Sequence, residues 1–346
     1  MSAAPRRGRA SATRVQADRA PGIRTPRTRT PGIRALLAAA LLAATALGAT
    51  ACAPSGGSPG GGDTPPSIVV TTNILGDVVE ELVGDTADVT TLMRPNADPH
   101  SFEISAQEAA ALDRADLVVS NGLGPEEGLQ HHLDRIEAAG GAQFVAGAHI
   151  TPLSGQEGAA TADPHFWTDP TRMIEVVDAL GALLASGELP GFDGAARAEI
   201  GERTASYAAR LTSLDAEIED RFAAIPPAQR ALVTNHHVFA YLAERYGFRV
   251  LGTAIPGGTT LAAPSAADLR SLVTAIGEAG VPAIFAETSA PDRLMQVLAE
   301  EADIEVRVVP LFTESLSEPG AGAESYTEML ATNAERIASG LAPTDH

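Results

Sequence analysis

From residue 67 onward the chain alternates short β-branched runs with longer stretches in which apolar residues recur every three to four positions. The short runs predict strands at 68–72, 89–93, 117–120, 144–146, 232–234, 250–252, 283–286 and 306–310. The longer stretches predict helices, several of which follow a capping residue: Asn73, Ser105, Ser265 and Ser325. Strands that alternate with helices predict an α/β fold with mainly parallel sheets.

A different pattern fills residues 193–225, between the first four predicted strands and the last four. This segment has no strand signal, and its apolar residues recur at helical spacing: Ile200, Tyr207, Leu211, Leu214, Ile218 and Phe222. Pro226 and Pro227 then end the pattern, because proline cannot continue a helix. A helix over 197–225 would extend roughly 40 Å, at about 1.5 Å per residue. It is therefore long enough to connect two domains.

Length and pattern together predict two domains. The chain has 346 residues, which is more than one hydrophobic core usually serves. We predict an N-terminal lobe over 67–196, a spanning helix over 197–225 and a C-terminal lobe over 226–346. Each lobe is expected to contain a mainly parallel sheet flanked by helices.

The first 51 residues have the composition of a secretory signal peptide. Residues 1–34 contain nine Arg and one acidic residue, and residues 35–51 are uncharged and apolar. A basic region, an apolar region and a small-residue exit are typical of an export signal. An apolar run of 17 residues is also short for a membrane span. We therefore expect an exported protein.

The only cysteine of the chain follows this signal directly. Cys52 comes after Ala49, Thr50 and Ala51 and precedes a stretch rich in Gly, Ser and Pro. The arrangement resembles a bacterial lipobox, in which the cysteine thiol is acylated and becomes the mature N-terminus. The alternative, a buried structural cysteine, has no core to enter here. We expect a lipid on Cys52, a flexible tether over 52–66 and anchorage at the outer face of the cell membrane.

The charge of the chain excludes some functions. The sequence has 24 basic and 44 acidic residues, a formal net charge of −20 at pH 7. Such an acidic chain is a poor partner for nucleic acid, so we exclude nucleic-acid binding as its main task. A hydrophobic fraction of 45% also excludes a wholly disordered chain.

Three of the eight histidines lie at positions suited to ligand binding, on restrained loops or at a strand end. His100 and His165 each end an Asp-Pro-His tripeptide, in which the proline restrains the loop. His236 lies where a predicted strand ends and a predicted helix begins, at the position where ligands bind in open α/β sheets. Separated imidazoles on such loops can converge on a transition metal. Because these histidines are some 65 to 70 residues apart, spacing alone does not distinguish metal ligands from surface or capping histidines.

Ordered matches to one family extend over the whole predicted globule, and their residues are VTTNILGD at 70–77, MRPNADPHSFE at 93–103, ADLVVSNG at 115–122, DPHFWTDP at 163–170, TNHHVFAYLAERYG at 234–247, IFAE at 284–287, LFTES at 311–315 and YTEMLATN at 326–333. With these motifs the chain resembles the ABC-transporter solute-binding proteins that capture zinc or manganese. This is the family of the zinc-uptake, treponemal and pneumococcal metal-binding lipoproteins.

The resemblance implies a ligand set as well as a function. It implies that each lobe donates two ligands to a divalent metal and that the long helix restrains the lobes from large hinge motion. Matched motif by motif, the ligands are His100 and His165 from the N-terminal lobe and His236 and Glu314 from the C-terminal lobe. The family more often has Asp where Glu314 stands, and it places His237 at a non-ligand position.

Two further acids and the identity of the metal depend on this ligand set. Asp169 and Glu287 are expected either to orient metal-bound histidines or to serve as a helix cap or a surface charge. Three imidazoles and one carboxylate favour Zn2+. Mn2+ is the alternative, although it prefers more oxygen ligands and the manganese importers of the family typically have an acid where His236 stands.

Two other classes of protein, a zinc metalloenzyme and an adhesin, are less well supported. An enzyme would need an open coordination position and a general base. Here a fourth protein ligand closes that position, and no recognised motif places a base. Nothing in the sequence supports an adhesin directly. We expect a monomeric binding protein that is not an enzyme and has three partners: a divalent metal ion, the permease of the same ABC importer and, through its lipid, the membrane.

Overall fold

The computed structural model describes residues 64–155, 162–257 and 259–342. The predicted signal peptide, Cys52 and most of the predicted tether lie outside these ranges. Within them, no helix combines the length and the apolar composition that crossing a membrane requires.

The first lobe is built on a four-stranded parallel sheet. Its strands follow the spatial order β2-β1-β3-β4, and they are β1 (Ser67–Val70), β2 (Asp88–Thr91), β3 (Leu117–Ser120) and β4 (Gln143–Val145). Val69 of β1 pairs with Thr90 on one side and with Val118 on the other. Nearly all of β1 and β3 is buried, as expected for central strands of a parallel sheet.

Four helices belong to this lobe: α1 (Asn73–Val83), α2 (Ala106–Leu112), α3 (Gln130–Ala138) and α4 (Pro170–Ser186). Thr72 caps α1, one residue before the predicted cap Asn73. Ser105 caps α2 as predicted, and Glu108 completes a reciprocal capping box. Asp169 caps α4 by accepting a hydrogen bond from a backbone N–H of the first turn. The helix-cap alternative predicted for Asp169 is therefore the one observed.

The long helix is present as α5 (Gly194–Ala223), which has 30 residues and compares with the predicted range 197–225. It packs along α1 and α4 of the first lobe. Close contact with α4 depends on Gly181, because a Cβ there would lie 2.4 Å from the side chain of Thr204 on α5. The helices can therefore approach closely at this point.

The second lobe contains the other four predicted strands: β5 (Ala231–Thr234), β6 (Arg249–Thr253), β7 (Ala283–Glu287) and β8 (Arg307–Leu311). They form two parallel pairs, β5 with β6 and β7 with β8, and β5 packs beside β7. All eight predicted strands are thus confirmed, with bounds within two residues of the prediction. The helices of this lobe are α6 (Ala240–Tyr246), α7 (Ala266–Ala279), α8 (Arg293–Glu301) and α9 (Tyr326–Leu341), with Ser265 and Ser325 as the predicted caps of α7 and α9.

The far part of α5 is fastened to the second lobe. Asp215 accepts hydrogen bonds from Nε and Nη2 of Arg245, at 3.1 and 2.5 Å, and from the hydroxyl of Tyr246, at 2.8 Å. These two partners belong to α6, and α5 also packs against α9. One rigid helix therefore contacts both lobes, and the main hydrophobic core continues from Leu180 through Tyr207 to Met329.

Candidate metal centre

The four side chains predicted as ligands lie together. His100 follows β2 and His165 precedes α4 in the first lobe, while His236 follows β5 and Glu314 follows β8 in the second. One donor atom of each lies within 4.8 Å of the others. Their relative exposures are 4, 0, 0 and 1% in the same order. The cluster is thus buried between the lobes.

The two Asp-Pro-His tripeptides fold in the same way. Asp98 Oδ1 accepts a hydrogen bond from the backbone N–H of His100 at 2.9 Å, and Asp163 Oδ1 accepts one from the N–H of His165 at 2.9 Å. An aspartate that bonds to the backbone two residues ahead forms a tight local turn. The repeated motif therefore holds both imidazoles on equivalent turns.

His236 lies in the connection between β5 and α6. The sequence pattern places it at the start of a helix, but α6 begins only at Ala240. The backbone carbonyl of His236 accepts hydrogen bonds from Thr234 Oγ1 at 2.7 Å and from the N–H of Val238 at 3.0 Å. This turn fixes His236 before the helix starts.

The Nε2 atoms of the three imidazoles converge on Glu314. His236 Nε2 lies 3.0 Å and His165 Nε2 lies 3.4 Å from Glu314 Oε1, while His100 Nε2 lies 3.9 Å from Oε2. The Nε2 atoms of His165 and His236 are 3.3 Å apart. Both carboxylate oxygens and three ring nitrogens therefore face one small volume.

Two buried carboxylates orient two of these rings from behind. Asp163 Oδ1 accepts a hydrogen bond from His165 Nδ1 at 2.7 Å, and Glu287 Oε1 accepts one from His236 Nδ1. A ring that donates through Nδ1 presents the Nε2 lone pair to the centre. Glu287 thus takes the orienting role, one of its three predicted roles. Asp163 has no predicted role from the sequence, although the Asp-Pro-His motif contains it.

His100 is held differently. Within the part of the chain that the structure describes, neither ring nitrogen of His100 has a hydrogen-bond partner, and neither oxygen of Glu314 accepts a hydrogen bond of good geometry. Buried polar atoms without partners are costly. A cation bound by these atoms would remove that cost.

The pKa shifts show how strongly the cluster attracts positive charge. Burial disfavours the imidazolium of His236, but Glu287 and Glu314 outweigh it and raise its pKa to about 10. Burial likewise opposes the charged form of His165, yet Glu314 and Asp163 raise its pKa. Burial lowers the pKa of His100. Burial works against ionised Glu314, but His165 and His236 hold its pKa well below the usual range.

Three other histidines, His131, His132 and His237, do not belong to this cluster. His237 Nε2 is 3.8 Å from Asp163 Oδ2, and its side chain is 18% exposed. His131 and His132 lie on α3, where His131 is exposed and His132 is half-buried. Among the residues that the structure describes, the cluster is the only group of three or more His, Cys, Asp or Glu with the geometry to hold a metal ion. The non-ligand position predicted for His237 agrees with this geometry.

The fold and the cluster together place the chain among two-lobed metal-binding proteins. A sequence model of the ZnuA family, described as zinc-uptake complex component A, periplasmic, matches residues 68–340. The chain belongs to this family.

Curated relatives and solved structures agree with this assignment. The zinc-binding protein TroA of Treponema pallidum is 29% identical over 286 residues, which cover 81% of this chain and 90% of TroA. The manganese-binding lipoprotein MntA of Halalkalibacterium halodurans is 28% identical over 275 residues, covering 79% of this chain and 88% of MntA. A solved structure of the TroA protein has a TM-score of 0.74 at 26% identity, covering 81% of this chain and all of that one. The predicted two-lobed α/β fold is thus confirmed.

Proposed function

We propose that this protein is an extracytoplasmic solute-binding component of an ABC importer, which captures Zn2+ between its lobes and delivers it to the permease. The observation that carries the proposal is the convergence of His100, His165, His236 and Glu314 from both lobes in one buried cluster. The metal ion is the cargo of the protein. Binding it links the two lobes, and release requires the ligand segments of the two lobes to move apart at the cluster, without the large hinge motion that the long helix restrains.

Zinc is supported by the donor set. Three imidazole nitrogens and one carboxylate suit tetrahedral Zn2+, with distances near ~2.0–2.2 Å, whereas Mn2+ prefers more oxygen. Similarity to relatives does not distinguish between the metals, because the relatives include proteins named for zinc, for manganese and, in YfeA of Yersinia pestis, for iron. The preference for zinc therefore rests on the chemistry of this chain's own residues.

Capture is favoured over catalysis by the closure of the cluster. All four donors come from the protein, and each is at most 4% exposed. A catalytic zinc site keeps one position for water or substrate. The buried acids beside the cluster, Asp163 and Glu287, each accept a hydrogen bond from the Nδ1 of a ligand histidine, on the side of the ring away from the Nε2 that faces the centre.

The proposal includes the expectations for export. Residues 1–51 serve as the signal peptide, Cys52 carries the lipid, and the tether over 52–66 connects the lobes to this anchor at the outer face of the membrane. The lobes extend over 67–196 and 226–346 on either side of the long helix, and the protein acts as a monomer.

Elemental analysis tests the proposal. The protein purified without chelators is expected to retain one equivalent of zinc, to prefer zinc to manganese in competition, and to show no turnover in an esterase and phosphatase screen. His165→Ala is expected to lose the metal. The matched control His131→Ala, which removes an exposed imidazole outside the cluster, is expected to keep it. Equal retention by both variants would contradict the proposed site.

A further inference from the structure

We propose that Asn73 is a positioning residue that ties the Glu314 segment of the second lobe to the first lobe and thereby sets the rate of metal release. The inference rests on the proposed function. It concerns a residue outside the cluster, on the first turn of α1.

All polar atoms of the Asn73 side chain are used in this connection. Its Nδ2 donates hydrogen bonds to Ser315 Oγ at 2.6 Å and to the carbonyl of Arg94 at 3.0 Å, and its Oδ1 accepts one from the N–H of Leu316 at 3.0 Å. Asn73 is only 7% exposed. Two of the three bonds cross between the lobes and end on the two residues that follow Glu314.

Two further hydrogen bonds connect the first lobe to the residues around Glu314, one before it and one after it. Trp167 Nε1 donates a hydrogen bond to the carbonyl of Thr313 at 2.8 Å, and the N–H of Asn96 donates one to the carbonyl of Leu316 at 2.9 Å. Trp167 lies two residues after His165. The residues on both sides of Glu314 are therefore held by the lobe that carries His100 and His165.

Within the second lobe, the same segment is held at Phe312, two residues before Glu314. Asn333 of α9 accepts a hydrogen bond from the N–H of Phe312 at 3.0 Å and donates one to the carbonyl of Phe312 at 2.6 Å. These bonds stay within one lobe and persist when the lobes separate. The bonds of Asn73 to Ser315 and Leu316 join the two lobes, so these bonds must break when the lobes separate.

Solvent has access to this connection. An open cleft of about 320 Å³ is lined by Asn73, Arg94 and Leu316 among other residues. Water in the cleft can replace the bonds of Asn73 once the segment begins to move. Removing the side chain should therefore favour the separated state and speed the departure of the metal.

Stopped-flow release of zinc to a chromogenic chelator tests this inference. Asn73→Ala is expected to release zinc roughly tenfold faster than the wild type, the effect of losing about one to two net hydrogen bonds. The association rate should change much less, because the cluster itself is intact. If Asn73→Ala does not fold, Ser315→Ala serves instead, with release expected to be several-fold faster.

A double-mutant cycle separates positioning from a general loss of stability. Asn73→Ala and Ser315→Ala should be non-additive in release rate, because they remove two ends of one hydrogen bond. Ser317→Ala is the matched control, since Ser317 Oγ bonds to Ala323 N at 3.1 Å within the second lobe; it should be additive with Asn73→Ala.

Two results would overturn the inference in distinguishable ways. A wild-type protein that binds zinc, with unchanged release from Asn73→Ala and Ser315→Ala, would overturn this inference alone. A wild-type protein that binds no metal would overturn the proposed function and this inference with it.

Discussion

Lowering the pH should weaken zinc binding over a wider range than ordinary histidines would allow. His236 has a pKa raised to about 10 because Glu287 and Glu314 outweigh its burial, and the pKa of His165 is also raised. At pH 8 the metal-free cluster therefore holds at least one proton, on His236. Zinc needs neutral imidazoles and must displace that proton.

The magnitude follows from proton competition. Each displaced proton lowers the apparent affinity about tenfold per pH unit, so one proton costs about 100-fold, or ~2.7 kcal/mol, between pH 8 and pH 6. The raised pKa of His165 makes the dependence steeper. The same proton on His236 stabilises the metal-free fold fully below about pH 6.5, and that stability is lost as the pH rises through about 10.

Competition titrations with a chelator of known affinity, at pH 6, 7, 8 and 9, measure this dependence. Calorimetry in two buffers of different ionisation enthalpy counts the released protons, and about one or more is expected at pH 8. An imidazole with an ordinary pKa of about 6.5 would give an affinity that levels off above pH 7. A plateau between pH 7.5 and 9, or no proton release at pH 8, would refute the reasoning.

Three further predictions concern other parts of the chain. Glu314→Ala should reduce zinc affinity less than His165→Ala, because water can fill the fourth position, and Glu314→Asp should be tolerated; calorimetric titration yielding the reverse order would contradict the ligand assignment. Gly181→Ala should lower the free energy of unfolding by about 1–3 kcal/mol, because its Cβ would clash with Thr204. Urea unfolding measures this loss, and adding Thr204→Ala to Gly181→Ala should recover part of the lost free energy of unfolding. Cys52→Ser should yield protein that is unprocessed or released from the membrane fraction, and mass spectrometry that finds a membrane-retained mature protein with unmodified Cys52 would count against lipidation.

Local patterns predicted most of the fold. The strands are mainly short runs of β-branched or other apolar residues, and β1, β3, β5 and β7 are almost wholly buried, so their positions followed from the local hydrophobic pattern. Ser105 and Ser265 were predicted as helix caps, and each completes a capping box. The helix after His236 was placed too early, because the sequence does not show that the turn from Thr234 to Val238 uses the carbonyl of His236. That contact depends on the local backbone path.

The cluster was harder to predict because its residues are far apart in the chain. Spacing left His100, His165 and His236 undecided, and the resemblance to a family supplied the ligand set. The role of Asp163 could have been predicted, because the repeated Asp-Pro-His motif places an acid two residues before each histidine. The contact of Asn73 with Ser315 spans 242 residues, and no local pattern indicates such a pairing.

The central claim is that one zinc ion is bound by three imidazoles and one carboxylate drawn from both lobes. A crystal structure of the zinc complex, with the metal located by anomalous scattering at the zinc edge, tests it most directly. We predict one zinc ion within ~2.0–2.2 Å of a nitrogen of His100, His165 and His236 and of a carboxylate oxygen of Glu314. Zinc bound elsewhere, for example at His131 and His132 on α3, with no zinc in this cluster, would contradict the claim.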